Sequence, residues 1–141
     1  MKERELRRRM DFAVEIAREA GNLVLKYFQK DLLSVEMKGN GTPVSEADTA
    51  AEAHLRERIL KEFPGESLIG EEHGVQGNSE IIWILDPIDG TESFIRGVPL
   101  FGNLIGLEIG GEMGVGVANL PGVGEMVYAA KGIRAWWVNR D

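Results

Sequence analysis

Acidic side chains follow directly on apolar runs at two places in the sequence. Glu71 follows the short run Ser67 to Ile69, and Asp86 and Asp89 follow the longer run Ile81 to Leu85. Because both runs are typical of buried strands, we expect these acids at one rim of a sheet. Clustered carboxylates repel one another unless a cation lies among them, and Mg²⁺ prefers oxygen ligands of this kind. The pattern indicates a divalent-cation site, with solvated loop acids and a simple Asp-Pro turn as the alternative.

Gly90 and Thr91 come immediately after the second acidic pair and supply the complementary half of a phosphate site. A glycine lets the backbone approach an oxyanion closely, and the N–H groups of both residues are able to point at it. The hydroxyl of Thr91 is suited to holding a water molecule. Carboxylates, a cation and such a turn together favour metal-assisted hydrolysis of a phosphate ester.

Two helices and a set of strands must position these residues. Apolar residues recur at steps of three and four from Leu6 to Phe28, which predicts one amphipathic helix. A second helix is predicted from Ser45, three residues before Asp48 as in a capping box, to the stop at Pro64.

Beyond Pro64 the apolar period changes to that of strands. After the two runs already named, glycine and proline turns separate three further runs, Leu100 to Ile109, Met113 to Asn119 and Glu125 to Ala130. The order of elements predicts an α+β fold in which N-terminal helices pack on an antiparallel sheet within one unit of structure, residues 1–141.

Composition narrows the functional classes. The 141 residues include 16 Lys and Arg against 23 Asp and Glu, a net charge of −7. This charge argues against a nucleic-acid partner, and no apolar run is long enough to span a membrane. The absence of cysteine excludes thiolate chemistry and fits a cytoplasmic protein. His54 is expected on a solvated helix face and His73 in a loop.

Three motifs resemble one family. The segments Gly70-Glu71-Glu72 and Trp83 to Thr91, the second followed by Phe94, resemble the signatures of the inositol monophosphatase family of Mg²⁺-dependent, lithium-sensitive phosphatases. Val44 to Asp48 is similar to the family's V-T-x-x-D segment, with Ser45 in place of threonine. The order and spacing of the motifs agree. The resemblance implies the first half of a layered α/β/α/β/α sugar-phosphatase fold.

The resemblance also assigns roles. It implies that Asp48 and Thr91 are the catalytic pair that orients and deprotonates the attacking water. It implies two or three Mg²⁺ ions in the complete enzyme, a homodimer, and a small phosphorylated substrate. The implied metal ligands are Glu71, Asp86, the backbone carbonyl of Ile88, and Asp89; the implied substrate-binding residues are Glu71, Ile88, Asp89, Gly90 and Thr91. Lys38 falls where relatives use a lysine on a mobile loop.

Residues Ser93 to Gly102 resemble the histidinol-phosphate phosphatase branch, which implies histidinol phosphate as substrate and a role in histidine biosynthesis; inositol monophosphate is the other expected substrate. Fructose bisphosphatase and nucleotide 3′-phosphatase remain alternatives within the family. No W-x-x-D segment follows Thr91. The resemblance therefore implies that residues 1–141 are an N-terminal half whose last residues, Trp136 to Asp141, lie where relatives begin a turn, and that the C-terminal half is absent. The alternative from a different functional class is that the chain is a non-catalytic fragment, which binds metal weakly or associates with another chain.

Overall fold

The computed structural model describes residues 1–30, 43–71 and 73–139. Helix α1 covers Glu3–Leu25 and helix α2 covers Pro43–Glu62, and a short helix α3 covers Thr91–Ile95. Both long predicted helices are confirmed with shifted ends. Helix α2 begins at Pro43 rather than Ser45, because a proline has no N–H to lose in the first turn and its fixed φ suits a helix. Ser45 therefore lies inside the helix and is not its cap.

The strands form a single mixed sheet in the part of the chain that is described. The strands are Ser67–Gly70 (β1), Gly74–Gln76 (β2), Ile81–Asp89 (β3), Gly102–Ile109 (β4), Glu112–Leu120 (β5), Glu125–Ala130 (β6) and Arg134–Asn139 (β7). Their order across the sheet is β2, β1, β3, β4, β5, β6 and β7.

The prediction of an antiparallel sheet is wrong for one pair of strands. The chain pairs β1 with β3 in parallel, whereas the other neighbouring pairs of described strands are antiparallel. The reason is that β1 first turns back into β2 at the sheet edge, and the chain then crosses to the other side of β1. Strand β2 is exposed along its whole length, so no apolar pattern marks it in the sequence.

Strand β7 was not predicted either. The turn expected near Trp136 is replaced by a strand that pairs with β6 along its length, with Tyr128 opposite Trp136 and their rings stacked at a centroid distance of 5.2 Å. Strand β7 has no buried residue and lies at the sheet edge. Its alternate residues Trp136 and Val138 are partly buried and pack against the core, so this short apolar stripe adds to strand pairing and aromatic contact.

Both long helices cover the same face of the sheet. Trp83 and Leu107 point into this layer and are fully buried. Phe12 of α1 packs edge-on against the Trp83 ring, and Phe63, directly after α2, packs against it in a tilted arrangement. The Trp83 indole N–H donates to Glu66 at 2.7 Å. The indole anchors the helix layer on β3, the strand that ends at the acidic residues.

Two buried amides attach α1 to the sheet. The side-chain N–H groups of Asn103 on β4 and Asn119 on β5 donate to the carbonyl oxygen of Ala17 at 3.1 and 2.9 Å. Gly21, one turn later on α1, leaves room for the Asn119 amide, because a methyl group there would overlap it. Buried amides that are paired in this way fix the helix in one register on the sheet.

The opposite face of the sheet carries no helix among the described residues. Its central part is an apolar hollow of about 470 Å³. Gly106 and Gly116 face each other across β4 and β5 in its floor, and Ile84, Leu104 and Val127 border it. None of the described helices has the length and apolar character that crossing a membrane requires.

Strands β4 and β5 approach each other closely at Gly102, next to the acidic residues, and a substitution there tests this close approach. A methyl group at Gly102 would lie 2.8 Å from the backbone oxygen of Asn119, whereas one at Gly116 would meet nothing within 4 Å. We expect Gly102→Ala to lower the free energy of unfolding by about 1–3 kcal/mol, because backbone atoms cannot move aside cheaply. Urea unfolding followed by circular dichroism measures this, with Gly116→Ala as the matched control. Equal stability of the two variants would contradict the close approach.

Candidate functional site

The parallel pairing of β1 and β3 places two of the predicted acids at the same edge of the sheet. Gly70, the last residue of β1, is opposite Leu85 of β3. Parallel strands end on the same side, so Glu71 and Asp86, each one residue further along, follow at neighbouring positions. Glu71 itself is exposed and Asp86 is half-buried. The expected rim is therefore present, but it depends on a parallel contact rather than an antiparallel one.

A bulge at the end of β3 separates Asp86 from Asp89. Asp86 is opposite Leu104 and Asp89 is opposite Gly102, so three steps along β3 match two steps along β4. Pro87 lies in this bulge, where its missing N–H removes no ladder hydrogen bond. The bulge redirects the strand and leaves Asp89 exposed while Pro87 and Ile88 are buried.

Asp86 is the most electrostatically perturbed of the predicted ligands. Burial, followed by the charges of Glu71 and Asp89, raises the pKa of Asp86 from 3.8 to about 6, although the Ile88 N–H hydrogen bond opposes the shift. Its Oδ1 atom is buried with no hydrogen-bond partner. An unpaired carboxylate oxygen beside two other acids is costly, and a cation among them would remove the cost.

Gly90 connects β3 to α3 in a left-handed conformation with φ of 84° and ψ of 45°. A methyl group at this position would lie 3.0 Å from the Leu100 carbonyl oxygen, so both the backbone angle and the space require glycine. The Gly90 carbonyl accepts from the Phe94 N–H at 3.1 Å, which closes the first turn of α3. Thr91, the first residue of α3, is exposed.

Aromatic side chains pack against the segment that follows the turn of Gly90 and Thr91. Phe94 and Phe101 are buried and meet edge-on at 5.0 Å, and Phe28 lies 4.8 Å from the Phe101 ring. The Gln29 side-chain N–H donates to the Gly97 carbonyl at 3.0 Å, just beyond α3. The segment after α1 is thus attached to α3 and to the chain that follows it, on the C-terminal side of Gly90 and Thr91.

Asp48 lies on α2 with 8% of its surface exposed. Helix α2 contacts helix α3, which begins at Thr91, so the two predicted catalytic residues lie on neighbouring elements. Lys38 and Glu72 lie outside the described residues.

One polar residue near the site was missed in the sequence. Glu52, which no motif singled out, is fully buried, and its Oε2 lies 2.6 Å from Nδ1 of His73. His73 itself lies in an exposed turn, as predicted. His54 lies on α2 as predicted but is only partly exposed, and its Nε2 lies 2.7 Å from Oε1 of Glu19 on α1. Glu52 stands four residues after Asp48, and this spacing is the signal that would have revealed it.

The donor set fits a hard divalent cation such as Mg²⁺. Its oxygen atoms are of the right kind, Asp86 Oδ1 has no hydrogen-bond partner, and Glu71 and Asp89 are close enough to raise the pKa of Asp86. Across residues 1–30, 43–71 and 73–139, no three His, Cys, Asp or Glu side chains converge at metal-ligand spacing. The described side chains therefore form an electrostatically coupled group of acids rather than a finished coordination shell.

The fold places helices on one face of a mixed sheet, acids at the strand ends and a glycine at the start of a short helix. Together these features define a class of site suited to a cation and an oxyanion. The model of the inositol monophosphatase family matches residues 5–140, and the chain belongs to this family.

Curated relatives and a solved structure agree with this assignment. A histidinol-phosphatase of Chlorobaculum parvum is 46% identical over 129 residues, which cover 90% of this chain and 49% of the relative. A fructose-1,6-bisphosphatase/inositol-1-monophosphatase of Aquifex aeolicus is 39% identical, over 86% of this chain and 47% of the relative. An inositol monophosphatase structure from Anabaena (Nostoc) superposes with a TM-score of 0.80 at 35% identity, covering 94% of this chain and 48% of that one. The chain spans about half the length of these relatives.

The pKa of Asp86 generates a prediction about stability without metal. A carboxyl whose pKa is raised in the folded state binds its proton more tightly there, so its contribution to stability is present below pH 4 and is lost as pH rises through about 6. We expect Asp86→Asn to raise the Tm at pH 7.5 in EDTA and to change it little at pH 4. Differential scanning calorimetry measures both values.

The exposed Asp11 on α1 provides the control for this experiment, as Asp11→Asn. Equal Tm changes at the two pH values for Asp86→Asn would contradict the assignment of the raised pKa.

Proposed function

We propose that these residues form the N-terminal part of a phosphatase that hydrolyses small phosphate monoesters with Mg²⁺. The observation that carries the proposal is the group of acids at the shared end of β1 and β3, next to the turn of Gly90 and Thr91. Membership of the inositol monophosphatase family and the names of the curated relatives support the reaction class.

In this proposal Glu71, Asp86, Asp89 and the Ile88 carbonyl hold Mg²⁺. When bound, the ion neutralises the phosphate and lowers the pKa of a coordinated water. The N–H groups of Gly90 and Thr91 bind the phosphate oxygens and orient the ester for in-line attack. Asp48 accepts the proton of the attacking water, and the Thr91 hydroxyl holds that water in line with the phosphorus–oxygen bond.

Histidinol phosphate is the substrate that we favour. The segment Ser93 to Gly102 resembles the histidinol-phosphate phosphatase branch. The histidinol-phosphatase of Chlorobaculum parvum, which is 46% identical over the aligned residues, supports the same choice. Inositol monophosphate and fructose bisphosphate are supported by the name of the Aquifex aeolicus relative. A nucleotide 3′-phosphate, the homodimer and the cytoplasmic location expected from the sequence stay predictions.

Asp89 provides the first test of the reaction. We expect Asp89→Asn to reduce kcat/KM for histidinol phosphate by about 100-fold or more, because it removes a ligand charge from the transition-state clamp. Phosphate release is measured with the chain itself and with a chimera in which residues 1–141 replace the matching half of the Chlorobaculum parvum relative. Glu92→Gln, at an exposed acid on α3, is the matched control.

Inositol monophosphate, fructose 1,6-bisphosphate and a nucleotide 3′-phosphate complete the substrate panel. A folded chimera that releases phosphate from none of these esters would refute the proposed reaction. Full activity in its Asp89→Asn variant would refute the assignment of Asp89.

A second candidate function, from a different class, is association with another polypeptide. The observation that favours it is the apolar hollow on the open sheet face, where Val127 is 44% exposed and Trp137 is 65% exposed. Large apolar faces of this kind bind partners. The chain spans about half the length of its relatives, so we propose that the occupant corresponds to their remaining half.

Charge placed on the open face tests this association. We expect Val127→Lys to abolish binding of a separately expressed C-terminal half of the Chlorobaculum parvum relative, because a desolvated ammonium opposes burial. Val123, also 44% exposed but at the turn between β5 and β6, is the matched control as Val123→Lys. Sedimentation velocity reports binding and distinguishes it from self-association. Equal binding by both variants would show that the open face is not the contact surface.

A further inference from the structure

A row of buried charged residues lies on α2 behind the proposed site. Asp48, Glu52 and Arg56 follow one another at intervals of four residues and are 8%, 0% and 7% exposed. Residues four apart lie above one another on a helix, so the three side chains share the same buried face. The proposed reaction uses Asp48 and leaves the two others without a role.

Glu52 contacts the chain on both sides of Glu71. On one side, its Oε1 atom fills the space that a side chain at Gly70 would need. On the other side, its Oε2 atom lies 2.6 Å from Nδ1 of His73. The residue before Glu71 and the second residue after it are thus both in contact with one carboxylate of α2.

Arg56 extends this attachment into β2. Its Nε donates to Glu52 Oε2 at 3.2 Å, and its Nη2 donates to the Gly74 carbonyl at 3.0 Å. Its Nη1 donates to the Gln76 side-chain oxygen at 3.3 Å. The guanidinium joins the helix to the strand that returns from the turn, so the attachment does not depend on a single hydrogen bond.

A buried ion pair is an expensive way to gain stability, because desolvating both charges costs about as much as their attraction returns. Apolar side chains of similar size would join α2 to β1 at lower cost. An ionic attachment differs from an apolar one in being directional, since Oε2 of Glu52 meets both the Arg56 guanidinium and the His73 ring in hydrogen-bond geometry. Direction matters where the neighbouring residue, Glu71, has to present a ligand atom.

We propose that Glu52 is a positioning residue that sets the distance between Asp48 and Glu71. Asp48 lies one turn before it on the same helix, and Glu71 lies between the two segments that it contacts. This inference rests on the proposed function, in which Asp48 accepts the proton of the attacking water and Glu71 holds Mg²⁺. Glu52 touches neither the substrate nor the metal and acts through the backbone that carries Glu71.

Glu52→Gln tests the proposal, because it keeps the size of the side chain and removes its charge. We expect faster hydrogen exchange at the amides of Gly70, Glu71, His73 and Gly74, with the exchange of α1 and β5 unchanged. We also expect Mn²⁺, the probe in electron paramagnetic resonance, to bind about 10-fold more weakly. In the chimera this variant should need more Mg²⁺ for half-maximal rate and keep its rate at saturating Mg²⁺.

Glu19→Gln is the matched control, since Glu19 also contacts one histidine and one arginine, His54 and Arg58, neither of which flanks Glu71 in the sequence. His73→Ala is a second variant. It removes the contact between Glu52 and the half-exposed His73 ring and leaves the residues of α2 unchanged. We expect it to increase exchange at the same amides, whereas Glu19→Gln should not.

If Glu52→Gln has the same hydrogen exchange and the same Mn²⁺ affinity as the unmodified chain, the proposal is overturned. Faster exchange spread evenly over the whole chain would also overturn it. Failure of the unmodified chain and chimera to bind Mn²⁺ would refute the proposed function instead. The local exchange of the Glu71 segment would then still decide whether Glu52 positions it.

Discussion

Two strands that run in the same direction end at the same edge of a sheet, and in this protein that rule brings Glu71 of one strand beside Asp86 of the next. An antiparallel partner would have placed the residue after β1 at the far edge of the sheet. The bulge at Pro87, the left-handed Gly90 and the aromatic support under α3 all refine a position that the parallel contact first creates. The hairpin of β1 and β2 matters for the same reason, since it is the detour that allows β3 to run parallel to β1.

The acids of the site repel one another, so other parts of the fold must offset this repulsion. Asp86 is half-buried next to two other acids, an arrangement that opposes folding when no cation is present. The helix layer offsets this cost on the other face of the same strand, where Trp83 is fully buried among the rings of Phe12 and Phe63. One side of β3 thus provides stability, and its end carries the destabilising cluster of acids.

Much of this arrangement was predictable because apolar periodicity reports burial. The two long helices and the runs that became β1, β3, β4, β5 and β6 were recognised from such patterns, and the motif acids lie at strand ends as expected. The exposed β2 carries no such pattern and was missed. The edge strand β7 was missed as well, because only Trp136 and Val138 alternate toward the core. The parallel contact was also missed, because the direction of pairing depends on how the chain crosses over and not on the composition of either strand. Glu52 was overlooked since a charged residue on a helix is ordinarily solvated.

The close fit between Glu52 and Gly70 has a consequence for how the sequence is able to vary. A side chain at Gly70 would displace the Glu52 carboxylate from its contacts with His73 and Arg56. The choice of residue at position 70 is therefore coupled to the charge pairing on α2, 18 residues earlier in the sequence. Glycine at this position leaves room for the buried acid.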